Sequence, residues 1–238
     1  MARLPRIVIP NQPLHIMHRG NNKQNIFESE EDMQRIKEDI ASALSKTGCA
    51  LHAYVIMSNH LHLLITPQSK KSLATFMQTM ANQYTRYFNA KHNRTGTIWE
   101  GRFKSCLVDS EQYLFVLYKY IEMNPVKAAM VKNVGDYMWS SYAHNALGNK
   151  DALITEHVLY KSLGINKCRY DAYKDFFNTL TISNQQNKDI TKATLAGEVY
   201  GSKIFHDKIR LMVSRVTRLG QHGGDRKSDI YKTKRDQT

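Results

Sequence analysis

The stretch from Leu51 to Pro67 constrains the fold of this chain more than any other. Leu51 to Met57 is rich in β-forming residues and Ser58-Asn59 has turn character. His60 to Thr66 then reads His, Leu, His, Leu, Leu, Ile, Thr before Pro67 ends the run. Two such runs joined by a tight turn form a β-hairpin. Successive side chains on a strand point to opposite faces, so His60 and His62 share one face while Leu61, Leu63 and Ile65 point into a core. The run therefore specifies a sheet with one apolar face and two imidazoles on the other.

The flanking segments supply the rest of a domain. Leu14 to Met17, apolar around His15, reads as a short strand that stops in a loop at Arg19-Gly20-Asn21-Asn22. Ser29 with Asp32 has the spacing of a capping box, and Met33, Ile36, Ile40 and Leu44 follow at helical spacing up to Gly48. After the hairpin, Ser72 starts a helix with Leu73, Phe76, Met80, Tyr84, Tyr87 and Phe88 on its apolar stripe, ending near Asn93 to Gly96. A strand over Ile98–Val108 and a helix over Ser110–Met123 complete the order βαββαβ and then α. That order predicts an α+β fold: a ferredoxin-like or RRM-like antiparallel sheet with helices on one face, one added helix and a small helical C-terminal extension. Such a layout hosts unrelated activities, so function has to come from the site.

Beyond Trp139 the periodicity is weaker. Residues 151–180 read as short helices, and Ser183 to Lys188 as a polar linker. Thr191 is positioned to cap a helix reaching Tyr200, Gly201-Ser202 to turn, and Ile204 to Val216 to form a second helix. The pair resembles a helix-turn-helix in outline, with Lys208, Arg210, Arg215 and Arg218 as its DNA-binding candidates. The expected division is a main α+β domain over 1–145, a helical extension and linker over 146–190, a basic DNA-binding element over 191–219 and a flexible basic tail over 220–238.

Charge narrows the partner. The chain has 34 Lys and Arg against 21 Asp and Glu, a net charge of +13 and a pI near 9.6, which suits a polyanion such as nucleic acid. Residues 1–150 hold 18 basic and 11 acidic groups, 151–202 six of each, and 203–238 ten and four, so the last stretch is the densest basic region. The longest apolar stretches, such as Leu61 to Ile65, are far short of the roughly 20 residues that span a bilayer, and no signal peptide opens the chain. A soluble protein with no membrane partner is expected. Cys49, Cys106 and Cys168 are far apart with no CxxC pair, which points to a reducing cytoplasm and away from disulfide frameworks or zinc ribbons.

Two groups of residues can carry chemistry. His60 and His62 are either two ligands of a facial metal site or a pair of surface histidines. In the helix from Glu111 to Asn124, Leu114, Leu117 and Ile121 face the sheet, while Tyr113, Tyr120 and Asn124 make a neighbouring stripe. Tyr120 and Asn124 lie one turn apart: a phenol can attack phosphorus and an amide oxygen can complete a His/His metal site. Tyr120 can equally be a core residue, and Asn124 before Pro125 can be an N-cap with Pro125 at N1. Capping and ligation compete for one oxygen. Tyr118 lies roughly 160° round the helix from Tyr120 and should not share its surroundings. Tyr84 and Tyr87 read as core or base-stacking residues. Arg19, Asn21, Arg102 and Lys104 are single-strand contacts or surface charges.

The strand-borne His60-Leu61-His62, the segment Trp99-Glu100-Gly101-Arg102-Phe103, and Tyr120-Ile121-Glu122-Met123-Asn124-Pro125-Val126-Lys127-Ala128 resemble the REP-associated tyrosine transposases, relatives of single-tyrosine HUH insertion-sequence transposases. The likeness covers about residues 10–145. It implies an HUH-type catalytic domain, with His60, His62 and Asn124 as ligands of Mg²⁺ or Mn²⁺ and Tyr120 as a nucleophile that forms a 5′-phosphotyrosine. Lys127 stands where members often carry Arg and is implied as a DNA contact. The implied partner is single-stranded DNA folded into palindromic hairpins, processed in a bacterial cytoplasm by a nucleoid-associated transposase. Two alternatives share part of these features: a non-catalytic RRM-like nucleic-acid-binding protein and a rolling-circle HUH endonuclease. Whether the protein is a monomer or a homodimer is left open.

Overall fold

A computed structural model describes residues 5–164, 168–213 and 216–217. The elements run β1 (Leu14–Arg19), α1 (Glu30–Thr47), β2 (Cys49–Ile56), β3 (His60–Pro67), α2 (Lys70–Lys91), β4 (Lys104–Val108), α3 (Ser110–Glu122), α4 (Asn124–Lys127), α5 (Tyr142–Leu147), α6 (Val158–Lys161), α7 (Arg169–Thr179), α8 (Asn184–Ala196), β5 (Val199–Tyr200) and α9 (Lys203–Met212). The sheet order is β2-β3-β1-β4-β5. Its first four strands pair antiparallel in the order expected of a split βαβ. The fifth strand is an addition, parallel to β4 and contributed from beyond the predicted domain.

Local signals explain most of the element boundaries. Ser29 Oγ accepts from the Asp32 backbone N–H at 3.2 Å, Asp32 accepts in return from the Ser29 N–H at 3.1 Å, and Gly48 ends α1 at φ +59°. Helix α2 starts two residues before the predicted Ser72, because Ser69 caps it by accepting from the Ser72 N–H at 3.0 Å. The predicted strand over Ile98–Val108 begins only at Lys104. Trp99 turns toward α2, where its Nε1 donates to Ala81 O and Thr85 Oγ1 at 3.2 and 3.1 Å, and Gly101 takes φ +61°.

Helices cover both faces of the sheet, not one. Leu14, Ile16, Leu61, Leu63 and Ile65 pack with Ile36 and Ile40 of α1 and Phe76 and Met80 of α2. The other face also carries apolar residues, Ala53, Val55, Leu64, Cys106 and Val108, which need cover of their own. That cover is α3 through Leu114, Leu117 and Ile121, with Tyr173 and Phe177 of α7 and Ile190 and Ala193 of α8.

The C-terminal expectations need correction. Ser183 to Lys188 is not a linker but the start of α8. Ser183 Oγ accepts from the Gln186 N–H at 3.1 Å and Gln186 Oε1 accepts from the Ser183 N–H at 2.9 Å, a capping box hidden in a polar run. Thr191 therefore lies inside a helix, and the predicted division between 190 and 191 falls within it. A strand separates α8 from α9, so the pair is not a helix-turn-helix. Val199 and Tyr200 are held by pairing with Leu107 and Val108. Helix α9 is capped by Ser202 and ends at Met212, short of Val216. Arg215, Arg218 and the predicted tail over 220–238 lie outside the described residues.

One buried polar group fixes the position of α3. Glu122 is fully buried, and its carboxyl accepts from Ser141 Oγ at 2.6 Å, Asn145 Nδ2 at 2.8 Å and Tyr173 Oη at 2.7 Å. Burial pushes this carboxyl from 4.5 up to about 7, with the three donors opposing the shift. Between those two values the folded chain holds a proton that the unfolded chain has released, so stability falls as pH rises through the window. We expect urea unfolding of the wild type to show a loss from this group approaching about 1.4 kcal/mol per pH unit between pH 5 and 7. Glu122→Gln should flatten that slope, and an unchanged slope contradicts the assignment.

Candidate active site

The cross-strand register builds the site. Met17 lies opposite His62 and Arg19 opposite His60, so β1 and β3 present these side chains on one face, with His15 two residues along. The His60 and His62 rings are 5.0 Å apart at 83°. Helix α3 crosses this face and brings the Tyr120 ring within 5.9 Å of His62 and 5.5 Å of His15, edge-on to both. The sheet imidazoles and the helix phenol thus share one pocket. Tyr120 is 7% exposed. Thr191 of α8 donates its hydroxyl proton to Asn187 O at 2.8 Å, so its oxygen, 3.1 Å from the Tyr120 hydroxyl, accepts from the phenol. Lys127 Nζ lies 4.7 Å from the centre of the Tyr120 ring and donates to Asn187 Oδ1 at 2.5 Å.

Asn124 does not cap α4. The N-cap position falls on Met123 with no side-chain cap bond, and the Asn124 amide nitrogen donates back to Tyr120 O at 2.8 Å and Ile121 O at 3.2 Å. With the nitrogen committed to α3, Oδ1 is the branch left to serve a cation. Burial holds His15 down to about 3, His60 to about 4 and His62 well below the usual imidazole range. All three are neutral near pH 7, the form that donates a lone pair. Two imidazole nitrogens and an amide oxygen suit a divalent ion with open positions. Among the described residues no three His, Cys, Asp or Glu side chains converge on a metal position. Burial also raises the Tyr120 hydroxyl, an effect Thr191 opposes, and lowers the Lys127 ammonium, with Lys119 adding to the shift.

The predicted DNA contacts divide into two sets. Arg19 and Lys104, opposite His60 and Met17 in register, lie on the imidazole face. Exposed Asn21 and Arg102 sit on neighbouring loops, joined where Asn21 N–H donates to Ile98 O and Glu100 N–H to Arg19 O, both at 2.8 Å. Arg19 is paired with Glu100 at 2.6 Å. Lys127 is beside the phenol. Lys208 and Arg210 are exposed on α9, whose Phe205 and Ile209 join the core on the opposite, α1 and α2 side, so the structure does not bring them to the imidazoles. Tyr118 points away among Tyr160 and Tyr173, as expected. Tyr113 packs on Tyr200; Tyr84 is a core residue whose hydroxyl donates to Ile26 O, and half-buried Tyr87 packs against that core with its hydroxyl on Asp32. Sequence reasoning missed the roles of His15, Glu122, Thr191 and Thr194. Only the Ser183–Gln186 capping signal could have placed the last two on one helix.

The Tyr120–Thr191 bond should show in a double-mutant cycle. Tyr120→Phe and Thr191→Val are each expected to cost about 0.5–1.5 kcal/mol in urea denaturation. The double variant should cost about as much as the larger single change, whereas full additivity would mean the two groups do not interact.

The family model of IS200-like transposases matches residues 9–124. A putative REP-associated tyrosine transposase from Haemophilus influenzae is 30% identical over 100 residues, which are 38% of this chain and 57% of that relative's length. A solved REP-associated tyrosine transposase bound to a REP hairpin superposes with a TM-score of 0.54 at 19% identity, covering 66% of this chain and 93% of the other. A putative transposase from Deinococcus radiodurans gives a TM-score of 0.35 at 16% identity over 49% of this chain and 95% of its own. The solved REP-associated transposase supports the same fold. The segment 9–124, which is similar to the IS200-like transposases, carries both sheet histidines, Tyr120 and Asn124.

Proposed function

We propose that the protein is a metal-dependent transposase of the REP-associated tyrosine group, which nicks and rejoins single-stranded DNA at hairpin-forming repetitive elements. The observation that carries this reading is the meeting of the Tyr120 ring with the His62 ring at 5.9 Å, across elements 58 residues apart in sequence. A divalent ion such as Mg²⁺ or Mn²⁺, when held by His60, His62 and Asn124, supplies polarisation of a non-bridging oxygen of the scissile phosphate. Tyr120 Oη forms the new bond to phosphorus as the bond to the 3′ oxygen breaks. The phenol proton is given up and the departing 3′ oxygen gains one, leaving a 5′-phosphotyrosine and a 3′-hydroxyl. Because a phosphodiester bond replaces another, a second 3′-hydroxyl reverses the step without ATP. Attack requires the Tyr120 hydroxyl to exchange Thr191 for the phosphate.

Arg19 and Lys104 on the imidazole face, with Asn21 and Arg102 on the neighbouring loops, serve as contacts to the strand, and Lys127 lies next to the nucleophile. The likeness to a transposase bound to a REP hairpin supports a hairpin as the ligand. The basic C-terminal residues add a further clamp on DNA. No helix among the described residues is long and apolar enough to cross a membrane, and a bacterial cytoplasm, on nucleoid DNA, is the proposed place of action.

Incubation of hairpin-bearing single-stranded DNA with Mn²⁺ or Mg²⁺ should give a covalent adduct on a denaturing gel. Tyr120→Phe is expected to abolish it while binding without cleavage changes less than about three-fold, and His60→Ala to lose cleavage together with metal affinity. An adduct that survives in Tyr120→Phe refutes the nucleophile, and binding with no adduct under any condition favours the non-catalytic RRM-like reading.

A truncation test of the clamp begins at residue 218, because Phe205 and Ile209 belong to the core and Val199 N–H donates to Thr217 O. The segment 218–238 carries six Lys and Arg against three Asp and Glu. Its removal should weaken binding and flatten the dependence of affinity on salt, with nicking of short oligonucleotides retained. Equal salt slopes would dismiss the clamp.

A further inference from the structure

We infer that His15 is a positioning residue: through a hydrogen-bond chain ending on Thr194 of α8 it fixes the tautomer of His62 and turns the Nε2 lone pair of His62 toward the cation. The inference rests on the metal-dependent reading above. It begins at the far end of the chain, where the single hydroxyl proton of Thr194 goes to Ile190 O one turn earlier, at 2.8 Å. The Thr194 oxygen is then an acceptor only. His15 Nδ1 lies 2.9 Å from it, so that nitrogen carries a proton and donates.

His15 is 0% exposed, and its two ring nitrogens are taken up by Thr194 and His62, neither of them an anion. A buried imidazole without an anionic partner is neutral. With Nδ1 protonated, its Nε2 holds the lone pair. His62 Nδ1 is 2.8 Å from that Nε2 and has to donate the proton between them. His62 Nε2 is left with its lone pair. The nearly parallel rings, 11° apart, keep His62 facing the pocket beside Tyr120.

His60 reaches the same tautomer by a local route. Asn59 Nδ2 donates to Lys23 O at 3.0 Å, which turns Asn59 Oδ1 toward His60 Nδ1 at 2.6 Å. His60 Nδ1 donates to that oxygen, and Nε2 is again the free nitrogen. Both imidazoles therefore offer Nε2, one held by its chain neighbour and the other by a helix more than a hundred residues away. Through Thr194, α8 supports the ligand set from outside the segment that matches the family model.

The decisive measurement is long-range ¹H–¹⁵N correlation of the imidazoles in the full-length, metal-free wild type, with His62 assigned by loss of its signals in His62→Gln. His15 and His62 should both be protonated at Nδ1. A His62 protonated at Nε2 overturns the inference whatever the protein does to DNA. Mn²⁺ titration followed by calorimetry gives a second arm. Thr194→Val should bind Mn²⁺ about ten-fold more weakly, with Thr194→Ser restored close to wild type and melting temperatures compared alongside. Equal Mn²⁺ affinity in Thr194→Val and the wild type also overturns it. If the wild type shows the expected tautomers but takes up no Mn²⁺, the metal-dependent reading falls and the inference, as a statement about a cation site, falls with it. Mn²⁺ uptake with the wrong tautomer removes the positioning chain alone.

Discussion

The site depends on a buried carboxyl two residues from the proposed nucleophile. Glu122 has no solvent around it, and its charge or proton is managed by a serine preceding α5, an asparagine on α5 and a tyrosine on α7. Losing any one of these donors removes part of what offsets the burial of the carboxyl, so α3 has one favourable depth and rotation against its neighbours. Leu114, Leu117 and Ile121 complete the constraint by packing on the sheet. With the helix fixed in this way, Tyr120 meets the imidazoles and Asn124 follows one turn later.

The second face of the sheet differs in kind from the first. Under α1 and α2 the sheet presents Leu14, Ile16, Leu61, Leu63 and Ile65, and that half of the molecule does ordinary core work. Under α3 and α8 apolar residues alternate with the polar row His15, His62 and His60: both nitrogens of His15 and Nδ1 of His62 are matched to partners on other elements, and Nδ1 of His60 to the neighbouring Asn59. Rigidity of this kind suits the proposed centre, in which cation, phosphate and phenol would be held in one geometry. Helix α8 is drawn into it through Thr191 on the phenol, Asn187 on Lys127 and Thr194 on His15.

Much of the candidate site was visible in the chain itself. The alternation of His60-Leu61-His62 gave both imidazoles a common face, and the stripe of α3 separated Tyr120 from Tyr118, because periods of two and 3.6 residues follow from backbone geometry alone. Asn124 was ambiguous, since capping and ligation call on one oxygen, and only the path of the chain into α4 decided that it does not cap. Lys208 and Arg210 look like DNA contacts by charge, yet the packing of Phe205 and Ile209 turns α9 to the other side of the sheet.

By itself the sequence determined the βαββαβ order, the shared face of the two histidines and the basic character of the chain, all of which depend on neighbours a few residues apart or on simple counts. Tertiary structure decided what depends on distant segments meeting: the cover on the second face, the parallel fifth strand, the three donors around Glu122, and the contact of His15 with His62 and Thr194. Hydrogen bonds between residues 47 and 179 positions apart leave no periodic trace in a sequence. They arise only once the register of β1 on β3 and the seating of α8 on the sheet have been set by packing.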